Sequence, residues 1–159
     1  MGSLEQGLRS SLEEAEQRGM EVRENAEQKI EEAQESKEAL DQIEAIDDDD
    51  KAALQEAINE SRDIAQGIAE NEITTPGSEI SSSLEGISEQ SSEYSETEIQ
   101  DSEKASGTIG DFQGPGAELA SKLQESGESF RELADESSEM NEEMQSEFQQ
   151  DAATLESVF

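Results

Sequence analysis

The sequence predicts an all-α fold built from elongated antiparallel helical hairpins with coiled-coil-like packing. Three observations predict it. Apolar or small residues recur at alternating four- and three-residue steps through most of the chain, the spacing that puts them on one helical face. Glu outnumbers Asp by 33 to 10, and Glu, Gln, Ala, Lys and Arg, all good helix formers, dominate the first half. Leu, Ile, Val and Phe number only 27 of 159, with one Tyr and no Trp. That is too little for a thick core, but enough for thin seams between helices.

Four segments follow in order. The first runs from about Leu4 to Ile46 and carries Leu8, Leu12, Ala15, Gly19, Val22, Ala26, Ile30, Ala33, Lys37 and Leu40 on one stripe. The faces between are Glu, Gln, Arg and Lys, with pairs such as Glu14 and Arg18 one turn apart. Asp47-Asp48-Asp49-Asp50 then interrupts the pattern. Asp favours turns and helix N-caps, so one helix is expected to end near Ile46 and another to start near Asp50. The second segment, Lys51 to Asn71, carries Leu54, Ala57, Ile58, Ser61, Ala65 and Ile68. The short connection predicts an antiparallel hairpin.

Ile73-Thr74-Thr75-Pro76-Gly77 is the expected boundary between two halves, because Pro disfavours helix in the residue before it. It divides the chain into an N-terminal hairpin, 1–75, and a C-terminal helix-turn-helix hairpin, 76–159. The third segment, Ser78 to Thr108, carries Ile80, Leu84, Ile87, Ser91, Tyr94, Glu98 and Ala105, a seam diluted by Ser and Glu. Its composition also suits disorder, the rival reading for this stretch. Residues 107–116 hold four glycines and a proline around Phe112 and form a second break. The fourth segment, Ala117 to Phe159, is the best amphipathic stretch of the second half. Its stripe is Leu119, Leu123, Ser126, Phe130, Leu133, Ser137, Met140, Met144, Phe148, Ala152, Leu155 and Phe159.

Composition narrows the function. There is no Cys and no His, so thiolate metal sites, disulfides, Cys nucleophiles and imidazole acid–base chemistry are ruled out. Acidic pairs are unavoidable among 43 Asp and Glu, and they mark no catalytic centre. The tetra-Asp run fails as an EF-hand loop: counted from Asp47, Ala52 stands where Gly is needed and Ile58 where Glu is needed. The expectation is a non-enzyme with no catalytic residues, no cofactor, no metal and no small-molecule substrate. A net charge of −33 is repelled by phosphate, which argues against nucleic acid, and by anionic lipid. No run of 18 apolar residues exists, so no membrane insertion is expected, and the N-terminus lacks the pattern of a cleaved signal peptide.

The Phe112-Gln113-Gly114 turn, set between two long helical segments, resembles the WxG (ESX-type) helical hairpins and the related LXG-associated helical proteins of type VII secretion. The resemblance covers residues 78–159. In that family an aromatic-x-Gly occupies the turn, and an aromatic-plus-acidic motif lies near the end of the second helix. Phe112 and Gly114 match the turn, with Phe in place of Trp. Phe148-Gln149-Gln150-Asp151 stands where the Tyr-x-x-x-Asp/Glu motif falls, one residue short of its spacing. The resemblance implies a type VII secretion-associated substrate or targeting partner that pairs with another helical protein. It would be secreted by a signal-peptide-independent route, the other location being the cytoplasm. Leu119, Leu123, Phe130, Leu133, Met140 and Met144 would meet the partner helix, and Phe112, Gly114, Phe148 and Asp151 would form the export signal. The alternative is a self-associating coiled-coil scaffold or adaptor, a homo-oligomer joined through the first segment. High-salt adaptation is a third explanation of the acidity.

Overall fold

The computed structural model describes residues 2–108 and 115–159, and among them there is no strand. The helices are α1 (Gly2–Asp41), α2 (Asp48–Ile68), α3 (Thr75–Thr108) and α4 (Pro115–Glu156), with a π-helical turn, Ala69–Thr74, between α2 and α3. The fold is all-α, as the periodicity predicts. The α1 stripe read from sequence is buried or half-buried at every position from Leu8 to Leu40. Lys37, the charged position in that stripe, is half-buried and pairs with Asp41 at 3.0 Å.

The tetra-Asp run is a helix start. Asp47 is extended (φ −123°, ψ 178°), and its side chain accepts a hydrogen bond from the Asp50 amide at 2.8 Å. Asp48, Asp49 and Asp50 fill the first turn of α2, where negative charge meets the positive end of the helix dipole. α1 stops at Asp41, sooner than the sequence suggests, and leaves Ile46 exposed in the connection.

The expected break at Ile73–Gly77 is absent. Thr75 is helical (φ −65°, ψ −51°), and its amide bonds the Glu70 carbonyl five residues back. Pro76 has no N–H, and its ring crowds the carbonyl of the preceding turn. A turn widened by one residue absorbs both defects without leaving the helix. Burial supplies the compensating energy, since Ala69 and Ile73 in this turn are fully buried and Ile80 nearly so. Packing thus overrides the local preference of Thr75 for extended backbone.

The chain forms two compact units, each drawn from separated segments. The first comprises Met1–Glu16 and Ser82–Glu142. Its core holds Leu8, Leu12 and Ala15 of α1, Leu84 and Ile87 of α3, and Phe130, Leu133 and Ala134 of α4. Here α3 and α4 run antiparallel. Ser88 Oγ donates to the Ala134 carbonyl at 3.3 Å, Ser95 Oγ to Gly127 at 2.7 Å, and Ser102 Oγ to Ala120 at 2.7 Å. From the other side Ser137 Oγ donates to the Leu84 carbonyl at 2.7 Å. Ser88, Ser95 and Ser102, beside the α3 seam read from sequence, are therefore interhelical ties, whereas Ser91 in the seam itself is buried with no hydrogen-bond partner for its hydroxyl among the described residues. A hydroxyl on one methylene reaches a facing carbonyl only when two helices are close, and small residues permit that approach.

The second unit comprises Gln17–Ser81 and Glu143–Phe159. α1 packs antiparallel to the run from α2 into the start of α3, with Arg18 pairing Glu79 at 3.7 Å. Its buried residues include Ala26, Ala65, Ala69, Ile73, Ile80, Met144, Phe148, Ala152 and Leu155. Ala predominates on α1 and α2, which again lets helices approach closely.

Candidate interaction site

Phe112 and Gly114 lie outside the described residues. The other expected partner-binding or export residues lie along α4, in two settings. In the first unit Phe130 and Leu133 are buried in the core, Leu123 is half-buried, and Leu119 is 47 % exposed. The Phe130 ring stacks tilted on Tyr94, centroids 5.4 Å apart. Met140 is half-buried.

In the second unit Met144, Phe148 and Asp151 are all buried. Met144 lies on Gly19: a Cβ there would fall 2.6 Å from its Cε and 2.7 Å from its Sδ. Phe148 lies on Gly77 in the same manner, 2.8 Å from an added Cβ to Cδ2. The Gln145 amide donates to the Gly77 carbonyl at 3.0 Å. The Pro76–Gly77 pair, read in sequence as a boundary, is thus the seat of an aromatic ring. A side chain at position 77 would occupy the space that the ring fills.

Asp151 is held by Arg23, whose Nε donates to Oδ2 at 3.4 Å. The same guanidinium reaches Glu147 at 3.3 Å and Glu27 at 3.6 Å. One cation thereby serves three carboxylates from α1 and α4, two of them well exposed and one buried. Phe148 and Asp151 do share one face of α4, as their three-residue separation requires. That face is turned into the chain's own packing, so an outside helix gains these side chains only if the end of α4 lifts.

The small residue at Gly19 is legible in the sequence as a place of close helix approach; the serine ties and the seat at Gly77 are not. The signal was present: Ser88, Ser95 and Ser102 recur every seven residues, a heptad written in hydroxyls. Among the described residues no group of three or more acidic side chains is placed to hold a metal ion. A groove of about 190 Å³ in the second unit is lined by Lys29, Ala33, Ile64, Ile68, Leu155 and their neighbours. No described helix is long and apolar enough to cross a membrane.

Comparison with known proteins adds no further constraint: no family model matches the chain, and neither a curated protein nor a solved structure does.

Proposed function

We propose that the chain is a non-enzymatic helical interaction protein, a type VII secretion-associated substrate or targeting partner that pairs with another helical protein. The observation that carries this reading is the antiparallel α3–α4 pair of the first unit, tied by four serine-to-carbonyl bonds, whose helices flank the Phe112-x-Gly114 stretch. Phe148 and Asp151 on one face of α4 support it as the second half of a composite signal. The absence of His and Cys from the sequence, which removes imidazole and thiolate chemistry, supports the non-enzymatic reading. Location follows the same reading: export through the type VII route, the alternative being the cytoplasm.

The test is co-expression with a candidate helical partner from the same type VII secretion context, with stoichiometry read by native mass spectrometry and export by immunoblot of the medium. The expected result is a one-to-one pair, and loss of export in Phe112→Ala and in Phe148→Ala. Truncating a buried Phe costs about 3–5 kcal/mol, so Asp151→Asn, which keeps the side-chain shape, serves as the folded companion variant. Pairing and export both intact in all three variants would end this reading. A symmetric homo-oligomer with no one-to-one pair would do so as well, in favour of a scaffold.

A further inference from the structure

We infer that the π-widened turn and the Pro76–Gly77 pair that follows it, residues 69–77, form a two-state joint. The Phe148 ring holds it helical, and departure of the ring releases it to the extended break that its own sequence favours. The joint stands independently of the interaction role proposed above, which supplies only an agent able to draw the ring out.

Local and tertiary preferences oppose each other at this point. Thr75 precedes Pro76 and is disfavoured in helical backbone, Pro76 contributes no N–H, and Gly77 is a poor helix former. All three nonetheless lie in α3, and the Thr75 amide reaches back five residues to the Glu70 carbonyl. π turns are rare and recur where a helix serves a function. Where the two preferences disagree, the gap between the helical and broken states is a small difference of opposing terms. A single contact then moves the equilibrium.

The contacts that tip it come from one turn of α4. Phe148 is buried over Gly77, with Cδ2 2.8 Å and Cγ 3.3 Å from the place of an added Cβ. The Gln145 amide donates to the Gly77 carbonyl at 3.0 Å. Residues 145 and 148 are neighbours on one face of α4, so that face grips a single residue of the joint. A buried aromatic ring is a large apolar contribution to set against the pre-proline preference. The same stretch of α4 is fixed by Met144 on Gly19 and by Asp151 beside Arg23. Whatever shifts that stretch therefore acts on the joint, and by reciprocity a broken joint weakens the seat of the ring. A helix that took hold of the Phe148 face of α4 would open residues 73–77 as it bound.

The test is residue-resolved amide hydrogen exchange by NMR on the full chain, with a far-UV melt of each variant to confirm folding. Phe148→Leu keeps an apolar side chain but leaves the seat part-empty. In it the amides of Ile73, Thr74, Thr75 and Gly77 should exchange at least about tenfold faster than in the parent, whereas those of Ala26 and Ala65 in the same unit change little. Gln145→Ala, which keeps the ring and loses only the bond to Gly77, should move the same amides the same way by a smaller factor. Adding Pro76→Ala to Phe148→Leu restores an N–H and frees Thr75, so the excess at residues 73–77 should disappear. Gly77→Ala sets two effects against each other: helix propensity slows exchange there, and displacement of the ring speeds it. The expected result is faster exchange.

Unchanged exchange at residues 73–77 in both Phe148→Leu and Gln145→Ala would overturn the joint. Equal acceleration of all these amides, Ala26 and Ala65 included, would do so by showing that the unit opens as one body. An excess that persists with Pro76→Ala would reduce the effect to ordinary lost packing, and slower exchange in Gly77→Ala would refute the seat. None of these readouts involves a partner, so failure of the chain to pair with another helical protein would remove the interaction role and leave the joint standing.

Discussion

Replacing Gly127 with Ala tests the closeness of α3 and α4 directly. An added Cβ would lie 2.7 Å from Ile99 Cγ1, 3.2 Å from the Ser95 carbonyl oxygen and 3.4 Å from the Ile99 amide nitrogen. The Ile99 side chain can rotate, but the two backbone atoms move only if the helices separate. Separation also lengthens the 2.7 Å bond from Ser95 Oγ to the Gly127 carbonyl. Overpacking of this kind costs about 1–3 kcal/mol. Against it stands the gain of about 1 kcal/mol for Ala over Gly in a helix interior. Gly86 provides the control: it is helical, lies in the same unit, and nothing lies within 4 Å of its added Cβ. Gly86→Ala should therefore realise the helical gain alone. The difference between the two variants is then about 1–3 kcal/mol, or roughly 3–10 °C in Tm for a chain of this length. Far-UV circular dichroism melts of both variants and the parent, in one buffer, measure it. If Gly127→Ala stabilises as much as Gly86→Ala, the helices are not in backbone contact and the serine-tie account fails.

Three further expectations follow from the same geometry. Ser95→Ala and Ser102→Ala should each lower stability by about 0.5–1.5 kcal/mol, and Ser95→Val by more, because the seam has no room; melts that rank Val as the milder change would contradict this. Arg23→Met should destabilise by about 1–3 kcal/mol by leaving the buried Asp151 carboxylate without its cation, and adding Asp151→Asn should restore part of that loss; a double variant no better than the single one would show that the pair is not coupled. Raising NaCl from 0.1 to 1 M shrinks the Debye length from ~10 to ~3 Å, so a chain of net charge −33 should gain in Tm; a flat Tm across that range would remove self-repulsion as a major term.

The helices of this protein are legible because a 3.5-residue repeat of small and apolar residues has one economical solution, and Glu-rich intervening faces reinforce it. The α1 stripe from Leu8 to Leu40 and a helix start in the tetra-Asp run are both readable locally, since caps and heptads depend on neighbours within a turn or two, although the start falls at Asp48 and not near Asp50. Pro76 marks the limit of local reading. By itself Thr75-Pro76-Gly77 is a break, and only the burial of Ile73 and Ile80, with the Phe148 ring on Gly77, makes a π-widened helix the lower state there. The site residues divide in the same way. The α4 stripe from Leu119 to Leu155 is visible as spacing, yet spacing is silent on which stretch meets the chain's own helices and which meets solvent. The tertiary structure decides that, burying Phe148 on Gly77 and Asp151 beside Arg23 and leaving Leu119 exposed, because only side chains from distant parts of the chain can take a residue out of water. It likewise makes Ser88, Ser95 and Ser102 of α3 into ties, since a hydroxyl's role depends on a carbonyl some 18 to 46 residues away in the chain.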